Sequence, residues 1–488
     1  MHSLIWTIDD IETTSNMFVS EKLTQKLMQE LSDALVVASC SLPPWCNELV
    51  YKYPCLFSLE TRIDYFRATA FGKSRAVVWL QNRRDMIIEQ SRGATTVNAL
   101  PNMAGGRRDD HYPEYRIGRI KHERIKVPRD EDSLFEYAGR VMKFHAPRKS
   151  ILEIEYIGEE GTGLGPTLEF YALVAAEFQK KALAMWICDD NDEDQSRTLD
   201  LGEGVKPPGY YIRRAGGLFP AATPAKTEES KRVSDLFHIL GIFLAKVLQD
   251  GRLVDLPLSK PFLKLLVAPE VSEYPEVRLN NLLTLDDLEI IAPMRGNVLK
   301  ALAKFIAGKR AIESNRSLNL LKKKEKLQEL KVEINGTFCR VEDLSLTFAV
   351  NPSSSVFSYA ELELIEKGAD TNVTVDNVDS YLDNCIDFFL VDGIRNQIEA
   401  MRRGFDLVFP LKSLRLFTAE EVQKLLSGEQ YPEWTREDVM NYTEPKLGYT
   451  KDSPGFLRFV DVLVGMNASE RKSFLQFTTG CSSLPPGY

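Results

Sequence analysis

Residues 447–488 read LGYTKDSPGFLRFVDVLVGMNASERKSFLQFTTGCSSLPPGY, and this stretch decides which fold the chain adopts. Between Asp461 and Phe477 the apolar positions are Val462, Leu463, Met466, Phe474, Leu475 and Phe477, an amphipathic helical pattern. Asn467-Ala468-Ser469-Glu470 interrupts it, and Ser469 leading Glu470 predicts the cap of a second helix. Such a helix has to pack against something downstream, yet little sequence follows Phe477. The expectation is a chain that stops inside a domain rather than after one.

Working upstream, residues 1–95 read as a helical extension. Glu21 to Leu35 places Leu23, Leu27, Met28, Leu31 and Leu35 at helical spacing, and Thr61 to Leu80 continues the pattern. Ser41-Leu42-Pro43-Pro44 and Tyr53-Pro54 mark a loop between them. Polar residues and glycines over 96–114 read as a linker. A new unit begins near 115. Ser133 to His145 is a helix, and Ser150 to Ile157 alternates as a strand, with Leu152, Ile154 and Tyr156 facing one way. Pro166 to Lys181 is helical, with Leu168, Tyr171, Ala172 and Ala175 on one face, and Cys188 to Gly217 is an insertion loop. Lys231 to Gln249 is the strongest helix, stopped by Asp250-Gly251. A basic helical stretch spans Val298 to Lys331, with strand-like segments at Val332–Ile334 and Leu344–Val350. Helices resume over Val378–Phe405 and Ala419–Leu426, and a hinge follows at Ser427 to Pro432.

Several motifs invite chemistry. Gly158 to Pro166 (GEEGTGLGP) lies between strand and helix, where a phosphate cradle would be, but Pro166-Thr167 replaces the Lys-Ser/Thr that a nucleotide loop requires. It reads as a tight turn with Pro in the first helical turn. Lys309, Arg310, Arg316 and Lys322 to Lys324 are interleaved with Glu325 and Glu329, so they read as a solvated helix face. His238 reads as a hydrogen-bonded buried histidine. Cys481 has no basic neighbour to lower its pKa and reads as an incidental thiol. The aromatic run YLDNCIDFFL, Tyr381 to Leu390, reads as core on its residues alone.

Gly448-Tyr449-Thr450-Lys451-Asp452-Ser453 and Phe474-Leu475-Gln476-Phe477-Thr478-Thr479-Gly480 resemble the C-terminal lobe of the HECT family of ubiquitin ligases. The resemblance extends over about residues 115–488, through Ile151 to Phe178, Arg252-Leu253-Val254-Asp255-Leu256-Pro257 and Arg402-Arg403-Gly404-Phe405. It implies a bilobal α+β fold. The mainly helical N-lobe would span 115–428 and carry a small subdomain, about 318–389, that binds a ubiquitin-loaded conjugating enzyme (E2). A partial C-lobe, 429–488, would be joined through a hinge at Gly428. On the same resemblance Leu344 and Leu346 oppose Tyr381 and Cys385 on the E2-binding face. Tyr381 stands where the family often has Phe, and Cys385 where a second aromatic can occur. The family's nucleophile is a Thr-Cys pair some tens of residues further on, so the thioester cysteine is expected beyond Tyr488 and no catalytic residue within the chain. Ubiquitin and a protein substrate complete the implied partners, with no metal or cofactor.

The family chemistry needs a thiolate because the incoming bond is itself a thioester, and exchange between sulfurs is nearly balanced. A hinge is needed because the two cysteines must close a large gap.

Composition is compatible. The 488 residues are 44% hydrophobic and 27% charged, with a net charge of −9 that argues against general nucleic-acid affinity. Seven cysteines and five histidines show no CxxC pair and no zinc-ligand spacing, which fits reduced thiols in the cytoplasm or nucleus. The N-terminus lacks the basic start and apolar run of a secretory signal. The longest apolar stretch, Leu236 to Ala245, is about half of what a membrane span needs. Three functions stay open: a ligase fragment inactive alone, a non-catalytic E2-binding module, and a helical interaction scaffold.

Overall fold

Ser20 opens the fold, its hydroxyl accepting the Leu23 N–H at 3.4 Å to cap α1, Glu21–Ser32. The computed structural model describes residues 18–93, 120–188, 199–202, 206–223, 226–269, 282–350, 361–428 and 434–479. Two units are distinguished, one of residues 1–171, 242–254 and 405–488, the other of 172–241 and 255–404. The linker expected at 96–114 lies outside the described residues.

The single helix expected over 21–35 is two. The Asp33 carboxylate accepts the N–H groups of Leu35 at 2.9 Å and Val36 at 3.2 Å and starts α2, Ala34–Ser39. Part of the expected loop is also helical: α3, Pro44–Lys52, begins on a proline whose fixed φ suits a first turn. The helix expected over 61–80 divides into α4, Leu59–Thr69, and α5, Lys73–Gly93, at Gly72 with φ +87°. Strand β1, His122–Val127, helix α6, Glu131–His145, and strand β2, Ile151–Tyr156, form a parallel β-α-β unit in register from His122–Ile151 to Val127–Tyr156. Leu152, Ile154 and Tyr156 are buried, as their alternation predicts. After β2 the glycine-rich segment turns at Gly158 and Gly163, both at positive φ, into α7, Leu164–Glu177. Thr167 Oγ1 accepts the Ile154 N–H at 3.0 Å and donates to the Gly163 carbonyl at 2.8 Å. The loop closes on its own chain, in keeping with the turn reading. The buried face of α7 includes Thr167, Phe170, Tyr171 and Val174; Leu168 and Ala172 are only half-buried.

The strong helix expected over Lys231–Gln249 is α8, Glu228–Gln249, and it begins three residues earlier. Its Phe237 meets Trp186 at 5.2 Å and Phe262, of α9 (Lys260–Val267), at 6.1 Å, both edge-on. His238 is half-buried, its Nδ1 3.3 Å from the Ala400 carbonyl, consistent with a structural histidine. At its end Gly251 takes φ +61°. Arg252 N–H reaches Val247 O at 2.9 Å and Gly251 N–H reaches Leu248 O at 3.3 Å, a Schellman stop.

A capping box from Thr284 and Asp287 opens α10, Leu285–Ile291, and α11 follows as Pro293–Ser314. The basic stretch expected to be one helix breaks before α12, Leu320–Glu329, because the Asn319 carboxamide caps Lys322 N–H at 2.9 Å. Strands β3, Val332–Ile334, and β4, Thr337–Cys339, form a hairpin across Asn335 (φ +49°) and Gly336 (φ +77°). Positive φ at both turn residues is the two-residue arrangement whose twist matches antiparallel strands. Antiparallel β5, Ala349–Val350, and β6, Leu362–Glu363, precede α13, Val378–Leu390, and α14, Arg395–Asp406. The expected helix over 378–405 is thus interrupted, by a short 3-10 turn at Asp392–Ile394.

Helix α15, Ala419–Ser427, opens on a capping box of Thr418 and Glu421; α16, Arg436–Tyr442, opens on Thr435 and Asp438. Helices α17, Pro454–Gly465, and α18, Ala468–Thr479, complete the described chain. Between them the cap is Asn467 and not Ser469. Asn467 Oδ1 accepts Glu470 N–H at 3.0 Å, and the Glu470 carboxylate accepts Asn467 N–H at 2.9 Å. Val439, Phe456, Val460 and Leu463 form a core joined by Trp434 and Phe474; Phe477 stands 87% exposed. The elements are those of an α+β protein, mostly helical with three two-stranded sheets among the described residues.

Candidate functional site

The expected E2-binding face is built on residues 341–348. Buried Val341 anchors a 3-10 turn, Glu342–Leu344, which ends at Ser345 with φ +51°. Beyond it the backbone is held on both sides. Val373 N–H donates to Leu346 O at 2.8 Å, Phe348 N–H to Thr371 O at 3.1 Å, and Leu364 N–H to Phe348 O at 2.8 Å. Gly368 lies so close that a Cβ there would stand 2.1 Å from the Phe348 carbonyl oxygen. Leu344 and Leu346 remain half-buried on this frame. Glu342 Oε1 accepts the Val375 N–H at 3.1 Å and ties the turn to the loop before α13.

Helix α13 supplies the other half. Tyr381 is 6% exposed and Cys385 1%, so both lie beneath the surface. In place of a presented aromatic, the Tyr381 ring supports the 341–348 segment from below, meeting Phe348 edge-on at 5.4 Å. Burial pushes the Cys385 thiol up to about 11 and the Tyr381 hydroxyl well above its usual range. Neither group ionises near neutrality. The Leu344–Leu346 segment and Tyr381 are therefore brought together through Phe348, with the leucines as the accessible part.

Lys309 departs from the solvated face expected for the basic cluster. Its ammonium is buried, 2.7 Å from the Asp379 carboxylate and 2.7 Å from the Val375 carbonyl. Arg310 reaches Asp379 at 3.0 Å. Burial would raise the Asp379 pKa, but hydrogen bonds from Lys309 and Arg310 hold it below the usual carboxylate value. Charge run and acidic partner are about 70 residues apart in sequence, so spacing could not pair them. Lys322 and Lys324 of α12 are exposed, as the solvated-face reading expects.

Gly428 follows α15 with φ +72° and ψ −173°, a conformation essentially reserved for glycine, and its N–H closes on Lys424 O at 2.8 Å. Of the thiols, Cys46, Cys188 and Cys385 are buried, Cys339 is half-buried, and Cys40 and Cys55 are exposed; Cys481 lies outside the described residues. Burial pushes Cys46 up to about 11. Among the described residues no three His, Cys, Asp or Glu side chains gather to hold a metal, and no helix is long and apolar enough to cross a membrane.

Residues 173–487 match the family model described as HECT-domain (ubiquitin-transferase). The chain belongs to the HECT family. It is 59% identical over 484 residues to the E3 ubiquitin-protein ligase hecd-1 of Caenorhabditis elegans, covering 98% of this chain and 18% of that protein. Against the E3 ubiquitin-protein ligase Ufd4 of Drosophila melanogaster it is 47% identical, over 97% of this chain and 18% of the relative. The E3 ubiquitin-protein ligase UPL3 of Arabidopsis thaliana is 34% identical over 99% of this chain and 24% of its own length. The chain thus spans about a fifth of the length of these relatives.

Proposed function

We propose that this chain is the ubiquitin-handling region of a HECT-type E3 ligase and that it docks a ubiquitin-loaded E2. The observation that carries the reading is the frame around Leu344 and Leu346, two half-buried leucines held by backbone hydrogen bonds and backed by Phe348 and Tyr381. A small apolar platform of this kind, ringed by polar side chains, is the usual centre of a protein interface. The subdomain at about 318–389 receives the E2, and Gly428 is the hinge between an N-lobe over 115–428 and the C-lobe segment that begins at 429. In the complete ligase ubiquitin passes to a cysteine of that lobe and then to a substrate lysine.

We place the acceptor sulfur outside the seven thiols present. Burial raises the pKa of the Cys46 and Cys385 thiols and makes them poor nucleophiles, Cys188 is buried, and Cys40 and Cys55 lie ahead of the matched family residues. Protein substrate, E2 and ubiquitin are the partners of this reading, and no metal or cofactor enters the transfer. Free thiols support a reducing compartment, cytoplasm or nucleus.

Incubation with ubiquitin-charged E2 followed by a non-reducing gel tests the thiol assignment. No labile ubiquitin adduct on this chain is expected, and an adduct mapped to any of its cysteines contradicts the assignment. Replacing Tyr381 by Ala is expected to weaken E2 binding by about 1–2 kcal/mol, as for a supporting interface aromatic. Calorimetric affinity unchanged in the folded variant would remove Tyr381 from the site.

A further inference from the structure

Arg62 lies in α4, far ahead of the residues that match the family model, yet its side chain ends at the helix that leads to Gly428. Its two terminal nitrogens donate to the two Glu421 carboxylate oxygens, each at 2.6 Å. Nη1 also donates to the Leu416 carbonyl at 2.8 Å, and Nε to the Phe57 carbonyl at 3.2 Å. The residue is 9% exposed, so the planar fork is largely withdrawn from water, where paired charge-assisted bonds are strong and directional.

Glu421 has a second task. Its carboxylate accepts the Thr418 N–H at 2.9 Å, and Thr418 Oγ1 accepts the Glu421 N–H at 3.2 Å, which together form the capping box of α15. One carboxylate therefore both starts α15 and fastens it to α4. At the far end, Val254 N–H donates to Leu426 O at 3.0 Å, two residues before Gly428. The ring of Phe417, just before the cap, packs edge-on against Phe66 of α4 at 5.5 Å.

We propose that Arg62 is a positioning residue for the hinge. By fixing the start of α15 through Glu421 and Leu416, it sets where Gly428 begins and hence the arc available to the segment beyond it. This rests on the reading of Gly428 as the hinge. The N-terminal helical segment would then act on the transfer step without touching E2 or ubiquitin.

The test compares amide hydrogen exchange in the full chain with that of Arg62→Met, Arg62→Lys, Glu421→Gln and the Arg62→Met/Glu421→Gln double variant. Gln at the third helical position retains the capping geometry while losing the charge, so Glu421→Gln separates the fork from the cap. Exchange over 419–428 is expected to quicken at least tenfold in Arg62→Met and in Glu421→Gln, with no further gain in the double variant. Arg62→Lys, which keeps the charge without the fork, should fall between. Exchange in α6 and affinity for the E2 should stay at their original values. Unchanged exchange over 419–428 overturns the proposal. So does an equal rise throughout the chain, which would make Arg62 a residue of general stability; should Arg62→Met not fold, the same criteria apply to Arg62→Lys. E2 affinity of the unsubstituted chain is read separately, so failure of the docking reading is not confused with failure of this one.

Discussion

At the scale of single residues, the groups that matter are buried side chains with at least one partner from distant sequence. Lys246 is fully buried, its ammonium donating to the Arg148 carbonyl at 2.6 Å and to Gln249 Oε1 at 2.9 Å. Burial, chiefly, lowers its pKa from 10.5 to about 8, while Asp250 opposes the shift and Arg75 and Lys149 add to it. Between those values the unfolded chain holds a proton that the folded chain has released. Stability at this site therefore rises with pH across that window, by up to about 1.4 kcal/mol per pH unit. Urea denaturation at pH 8 and pH 10 should show a larger gain for the unsubstituted chain than for Lys246→Met. Equal gains would mean that Lys246 titrates as it does in water. Tyr381 is the second case. Tyr381→Ala empties the space beneath Phe348 and should lower stability by about 3 kcal/mol, whereas Tyr381→Phe keeps the ring and should be near neutral. A thermal melt distinguishes them, and similar losses in both would assign the effect to the hydroxyl.

At the scale of elements, local signals in the sequence were legible and their exact breaks were not. Alternation over Ile151–Tyr156 and the Asp250-Gly251 stop of α8 are visible in the residues themselves, because burial on one face and a left-handed glycine leave direct marks. The hairpin turn at Asn335-Gly336 was not read from the sequence, since the strands it joins are only three residues each and carry little pattern. Two of the misjudged helices share a cause. Asp33 and Asn319 each use a side chain to cap a new helix inside a run that reads as one helix in the sequence, whereas at Asn467 the break was expected and only the capping residue differs. Periodicity senses the face, and the cap decides the boundary. Thr418→Ala, which removes one side of the α15 capping box, should destabilise its unit by about 1 kcal/mol. Gly368→Ala should be more severe, since its Cβ would enter the space of the Phe348 carbonyl. Nuclear magnetic resonance shifts around Phe348 would report the displacement, and an unperturbed spectrum would show that the close approach is relaxed elsewhere.

At the scale of the whole molecule, the HECT family was legible from two short motifs near the C-terminus, while the proposed docking site was legible only as a placement. Sequence resemblance selected Leu344, Leu346, Tyr381 and Cys385 but could not divide them into accessible and supporting residues. That division depends on the hydrogen-bonded frame between 341–348 and the chain over 364–373, which spacing does not encode. The Lys309–Asp379 pair and the Arg62–Glu421 fork escaped for the same reason. The most direct measurement of E2 docking is an isothermal titration of the E2 into this chain and into its Leu344→Asp/Leu346→Asp variant. Saturable binding by the unsubstituted chain, weakened at least tenfold in the folded variant, is the predicted result. Equal affinity for the two proteins, or no binding by the first, would contradict the account.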